Sequence, residues 1–272
     1  MKYTPKELSG NVNVSGGHPL VELAWLAGGL AAIIAVIWLG LVLVAELVIP
    51  RVPIDVEIWA GNHLLSQQSH RDDPSVTRIL RHLLGGLPGY SPLRRYNFSV
   101  TVADNDVVNA LALPGGRIVV FSGLLKQVRS ENELAMVLGH ELGHFAHRDH
   151  LRGMGRGLGV ALAVAMIFGR DSAAAGFAAN LVHGLEMRYS QRQEGNADAF
   201  GLDLLVAGYG HAGGATDFFS RLAGESDGKI AYVLASHPHP EDRISALKKM
   251  IGEKGYRVGP GVPFPGLKGD DR

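Results

Sequence analysis

The chain contains no cysteine, so it has no disulfide framework, no thiolate metal ligand and no thiol nucleophile. Any metal chemistry must use histidine and carboxylate. Net charge is missing too: 26 Lys and Arg balance 26 Asp and Glu, leaving no overall field to draw the protein to nucleic acid. No nucleic-acid partner is expected. Length excludes little, because 272 residues suffice for one sizeable hydrophobic core. Glycine, by contrast, is abundant, and pairs such as Gly115-Gly116 and Gly213-Gly214 mark turns.

Charge is absent again, locally, from Leu23 to Ala45, where Trp25 and Trp38 sit among aliphatic residues. At 1.5 Å rise per residue such a run crosses a hydrocarbon core of about 30 Å with some tilt. It exceeds the roughly 7–15 apolar residues of a cleaved signal peptide, and no small-x-small cleavage site follows it closely. A retained transmembrane helix over 21–49, after a short lead over 1–20, is expected. Lys2 and Lys6 precede it, whereas Arg51 is followed by Asp55 and Glu57. The positive-inside rule then puts the N-terminus in the cytoplasm and the remainder outside, in the periplasm of a Gram-negative cell.

Residues 52–254 read as one domain and 255–272 as a flexible tail. Apolar positions at helical spacing, including Ile54, Ile58, Leu80, Leu83 and Leu84, predict two helices joined by a loop near Arg71-Asp72-Asp73-Pro74. Between Tyr96 and Leu125 the period changes to two, and Pro114-Gly115-Gly116 joins two of the segments, which predicts an antiparallel meander or hairpin. A helix from Ser130 through His150 follows, then a Gly- and Ala-rich apolar region over 153–184, read as a buried or groove-covering helical hairpin. A further helix fits Leu185 to Val206.

The helix beginning at Ser130 carries the chemistry. Within His140-Glu141-Leu142-Gly143-His144, the two histidines stand four apart and so share a helix face, with Glu141 beside them. Two imidazoles aimed at one point chelate a metal. Ser130 and Glu133 have capping-box spacing, Leu134, Leu138, Leu142 and Phe145 supply an apolar stripe, and Gly143 keeps the surface small beside the ligands. A hydrolytic zinc site needs a third protein ligand. His150 stands where an extended three-histidine pattern would end, although His147 occupies the position that pattern gives to Gly. Glu194 is the other candidate, one helical turn before Asp198, which can take a ligand histidine's remaining N–H. The other histidines, such as His63, His82 and His211, lack ligand-like spacing.

Four motifs occur in order: Asn109-Ala110-x-Ala112-Leu113-Pro114-Gly115-Gly116, the segment His140 to His144, Ser190-x-Arg192 leading into Glu194 and Asp198, and His237-Pro238 with Arg243-Ile244. Together they resemble the HtpX and CAAX prenyl protease family of gluzincins, over about residues 55–250. The resemblance implies an α+β, zincin-like fold, mostly helical with a small sheet. It also implies one Zn2+ per chain on His140, His144 and Glu194, with Asp198 behind the first histidine. Where prenyl proteases and HtpX proteins have several spanning helices, only one is clear here, so the chain looks more like the bacterial single-anchor members.

In that reading Glu141 is the general base for a water activated by zinc, and His237 or Arg243 donates to the developing oxyanion. The strand Asn109, Ala110, Leu111, Ala112 offers an edge to an extended peptide. The expected partners are polypeptides, unfolded or damaged, a substrate class taken from the resemblance. Two alternatives stand beside this one: a catalytically silent zinc protein that chaperones clients in the same groove, and a prenyl-type protease with residues 157–184 in the bilayer.

Overall fold

The computed structural model describes residues 18–48, 51–64, 71–153, 169, 189–223, 237 and 240–264. The apolar region expected to form a hairpin over 153–184 lies almost wholly outside the described residues. Helix α1, Pro19–Val48, presents its large apolar side chains to the outside, Trp25 and Leu26 among them. By length and hydropathy it can cross a membrane.

Helices α2 (Ile54–Leu64) and α3 (Pro74–Gly85) flank the expected loop. Helix α3 starts where Asp73 accepts from the Ser75 and Val76 backbone N–H groups and Pro74 fills the first turn. Its buried residues Val76, Ile79, Leu80 and Leu83 follow the helical repeat and face the core.

Three strands follow: β1 (Ser99–Ala103), β2 (Ala110–Leu113) and β3 (Arg117–Phe121). Strands β2 and β3 form the expected antiparallel hairpin, and Gly115 and Gly116 both take positive φ, as a tight hairpin turn requires. Strand β1, however, pairs parallel to β3, so the sheet is mixed, in the order β1-β3-β2, rather than antiparallel. The segment after β1 leads the chain to the far side of β3 before β2 begins, a route that period-two patterning does not encode. Strand β2 is thereby an edge strand.

After the short helix α4 (Ser122–Gln127) comes α5 (Glu131–His147), capped by Ser130, whose hydroxyl accepts from Glu133 N–H. Instead of running on to His150, α5 stops at Arg148, a non-glycine residue in the left-handed region with φ 57°. Helical backbone resumes over 149–153. Helix α6 (Gln191–Tyr209) opens with a complete capping box of Ser190 and Gln193, and ends at Gly210. It begins six residues later than the expected start at Leu185. Helices α7 (Asp217–Ala223) and α8 (Pro240–Glu253) follow among the described residues.

The α5–α6 contact positions everything that follows. A Cβ at Gly143 would lie 2.7 Å from Ala197 Cα, and one at Gly139 would lie 3.0 Å from Gly201 Cα. Glycine there lets two helix backbones touch. Residues 255–264, expected to be loose, are tied down: Arg257 O accepts from Ala212 N–H at 2.8 Å, and Val262 O from Glu131 N–H at 2.7 Å. The first backbone groups of α5 need acceptors and side-chain partners nearby, and this segment supplies them.

Candidate metal centre

Because α5 and α6 touch through glycine, side chains from both meet in a largely buried space. His140, His144, Glu194 and His237 each offer one donor atom, and these atoms all lie within 4.8 Å of one another. Glu194 and His144 are fully buried, and His140, Glu141 and His237 nearly so. Glu194 Oε1 is 3.5 Å from His144 Nε2, and Oε2 is 3.6 Å from His140 Nε2. His150, the competing candidate, is elsewhere: its Nε2 faces Glu57 Oε1 at 2.8 Å.

The two α5 histidines are oriented from behind. His140 Nδ1 lies 2.9 Å from Asp198 Oδ1, and His144 Nδ1 lies 3.1 Å from Asp149 Oδ2. A carboxylate at Nδ1 favours the proton there, so that in the neutral ring Nε2 carries the lone pair. The two Nε2 atoms nevertheless face each other at 3.1 Å beside the Glu194 carboxylate. Lone pairs and a carboxylate converging in a buried space repel one another unless a cation or proton sits among them.

Charge makes the same demand. Glu141, Asp149, Glu194 and Asp198 are all buried here, and among the described residues Arg243 is the one buried Lys or Arg. Arg243 Nε donates to Asp198 Oδ2 at 2.8 Å and Nη2 to Oδ1 at 2.7 Å, while Nη1 lies 2.9 Å from Glu194 Oε2. Burial disfavours the ionised Asp198, but Arg243 outweighs it and brings the carboxyl down to about 2. Burial is likewise outweighed at Glu194, where His237 and His140 hold the carboxyl well below the usual range. Burial and then Arg243 lower His140 to about 4. At His144 burial opposes the charge, yet hydrogen bonds to Asp149 and Glu194 raise it to about 9. The carboxylates thus favour positive charge on His144, while burial and Arg243 disfavour it on His140.

Two imidazoles and a carboxylate, with no thiol in the chain, suit a borderline divalent cation such as zinc. His237 Nδ1 stands 3.0 Å from Glu194 Oε1 and 3.2 Å from His140 Nε2, so it joins the donor group rather than standing apart from it. Arg243, suggested as an oxyanion donor, is engaged by Asp198 and Glu194 and stacks over Phe219 at 4.5 Å. Glu141 faces an apolar cleft lined also by Asn109, Ala110, Val137, Phe218 and Phe219. Burial lifts its pKa above the usual carboxylate range, which suits proton transfer.

Ala110 and Ala112 of the edge strand are buried, and Leu111 is half-buried on the other face. Asn109 precedes them; its Oδ1 accepts from Ala110 N–H at 2.9 Å, and its buried Nδ2 has no partner among the described residues. Sequence reasoning missed Asp149. It comes five residues after His144, beyond the helix, and returns to the ring only because Arg148 turns left-handed; Gln193 Nε2 then donates to it at 2.8 Å. No spacing rule signals that turn, since the residue at its centre is not glycine.

A pair of helix-borne histidines, a glutamate from a second helix and an enclosed acid beside them define a metal-dependent hydrolase centre. The chain belongs to peptidase family M48, whose pattern it matches over residues 70–251. It is 31% identical over 186 residues to the mitochondrial metalloendopeptidase OMA1 of Arabidopsis thaliana, covering 66% of this chain and 35% of that protein. It is 31% identical over 171 residues to the metalloprotease LoiP of Escherichia coli K12, covering 59% of this chain and 65% of that one. To the metalloprotease YcaL of the same organism it is 28% identical over 208 residues, covering 72% and 76%. The chain thus spans about one third of the first relative and just under two thirds of the second.

Proposed function

We propose that the protein is a membrane-anchored zinc metalloendopeptidase that cleaves unfolded or damaged polypeptides. The observation that carries this reading is the pair of carboxylate-backed imidazoles whose bare Nε2 atoms converge with Glu194, next to Glu141. His140, His144 and Glu194 would hold the metal, with Asp198 and Asp149 fixing the rings. Zinc, when bound, supplies Lewis acidity to the scissile carbonyl and to the attacking water.

The protein's own residues do the rest. Glu141, in an enclosed cleft and with a raised pKa, takes the proton of the attacking water and delivers it to the leaving amine. The edge of β2 that is unpaired among the described residues receives the substrate as an added strand, through Asn109, Ala110, Leu111 and Ala112. His237, the fourth of those buried donor residues, is left off the metal and donates to the oxyanion, with Arg243 holding Asp198 and Glu194 in register. Within family M48 we read the chain as the bacterial single-anchor type similar to HtpX and the CAAX prenyl proteases. One described helix long and apolar enough to span a membrane supports that reading.

Zinc content and casein cleavage of the purified full chain test the mechanism. Glu141→Gln is expected to keep its zinc and lose activity by about 10²–10⁴-fold. Equal turnover in wild type and Glu141→Gln would refute the assignment; zinc without turnover in either would favour the silent chaperone. Orientation is tested at Tyr90, 91% exposed, in a chain without cysteine. Tyr90→Cys on intact cells or spheroplasts should react with a membrane-impermeant thiol reagent, and protection until lysis would reverse the topology.

A further inference from the structure

Helix α2 lies ahead of residues 70–251, the part that matches family M48, yet it sends a side chain to the heart of the domain. Glu57 is 2% exposed, on a helix whose Asp55, Val56 and Trp59 face solvent. Its carboxylate gathers three side-chain donors: Tyr96 OH at 2.6 Å, His150 Nε2 at 2.8 Å and Arg148 Nη2 at 3.2 Å. Gly115 N–H of the β2–β3 turn approaches it at 3.5 Å, and Arg148 also donates to Val52 O. A buried carboxylate so surrounded is strongly fixed. Burial works against its charge, but the bonds from His150, Tyr96 and Arg148 prevail and keep its pKa below the usual value.

Two of those donors bracket Asp149. Arg148 is the residue in the left-handed turn, and His150 follows on the other side, fully buried against Phe145. A non-glycine residue keeps a left-handed conformation only where its surroundings over-determine it. Glu57 holds the residue on each side of Asp149, and Asp149 holds Nδ1 of His144. The metal ligand is thus supported by a relay that starts in the segment next to the anchor.

We propose that Glu57 is a positioning residue for the metal centre, fixing the 148–150 turn so that Asp149 orients His144, and that metal retention therefore depends on the seating of α2. This rests on the zinc reading above and adds a contribution from outside the family-matched region.

The test measures zinc transfer from the purified full chain to a coloured chelator, together with the melting temperature of the zinc-free protein. Glu57→Gln keeps the shape but points an amide at donors, and should release zinc up to about tenfold faster than wild type. Asp55→Asn, on the same helix with an exposed pairing to Arg95, should release it at the wild-type rate. Adding Glu57→Gln to Asp149→Asn should cause no further acceleration, because both act through one relay.

A Glu57→Gln protein that melts earlier when zinc-free yet releases zinc at the wild-type rate would reduce Glu57 to a structural role. Additive effects in the double variant would also overturn the proposal. If Glu57→Gln does not fold, Tyr96→Phe, which removes a single donor, is read by the same criteria. A wild-type chain that holds no zinc would overturn the metal reading and this inference together, whereas zinc held by both proteins and released at equal rates sinks only the inference.

Discussion

The two histidines of α5 look equivalent in sequence, four residues apart on one face, and in the structure each has a carboxylate behind it, but they are supported in different ways. Behind His140 stands Asp198, which arrives from α6 across the glycine contact and is neutralised by the buried fork of Arg243. His144 relies on Asp149, from its own strand of chain just past the helix end, held by Gln193, by Arg152 at 3.2 Å and by the turn that Glu57 secures. One support is made by packing distant helices and the other by bending the chain locally. The His140 side should therefore fail when helices are pushed apart, and the His144 side when the turn relaxes.

The largest effect should come from Gly143→Val, because a Cβ there meets the Ala197 backbone and has no flexible neighbour to displace. Overpacking of this kind costs about 1–3 kcal/mol. It should lower the denaturation midpoint and abolish zinc binding, since it parts α5 from Glu194 and Asp198 together. Unchanged zinc content would mean that close helix contact is not what assembles the site.

Next come the two supporting carboxylates. Asp198→Asn and Asp149→Asn should each weaken zinc binding by about 10- to 100-fold in competition titrations. Asp198→Asn should be the worse, because it leaves Arg243 buried with half its counter-charge gone. The reverse order would show that the local turn carries more of the site than the helix contact does.

The smallest effect concerns acid. Glu57 has a folded-state pKa below its unfolded value, so its contribution is present above the unfolded pKa and is lost as pH falls through the folded one. Urea titrations of wild type and Glu57→Gln should therefore differ at neutral pH and converge in acid. A constant gap across the range would separate the effect from the carboxylate charge.

Much of the His140 side could be read from the sequence. Spacing gave His140, Glu141 and His144, and the one-turn separation of Glu194 and Asp198, with the family resemblance, suggested a second helix presenting both. The β2–β3 hairpin was equally legible, because Pro114-Gly115-Gly116 is turn chemistry. The His144 side was not. Arg148 carries no left-handed signal, so α5 was expected to run on to His150, which hid Asp149 as a partner. Glu57 looked like an ordinary juxtamembrane charge, since nothing local announces three donors arriving from residues 96, 148 and 150. The parallel β1–β3 pairing and the docked stretch 255–264 were missed for a related reason: long-range partners leave no periodic trace.

The junction between α1 and α2 has a further consequence, one of distance. Only residues 49–53 separate the last turn of α1 from the first of α2, and α2 itself is fastened to the domain at Glu57. Six Cα steps from Val48 to Ile54 extend at most about 20 Å. The first turn of α2, and with it the buried Glu57, is therefore leashed to the end of α1 at that short range, whatever α1 is seated in.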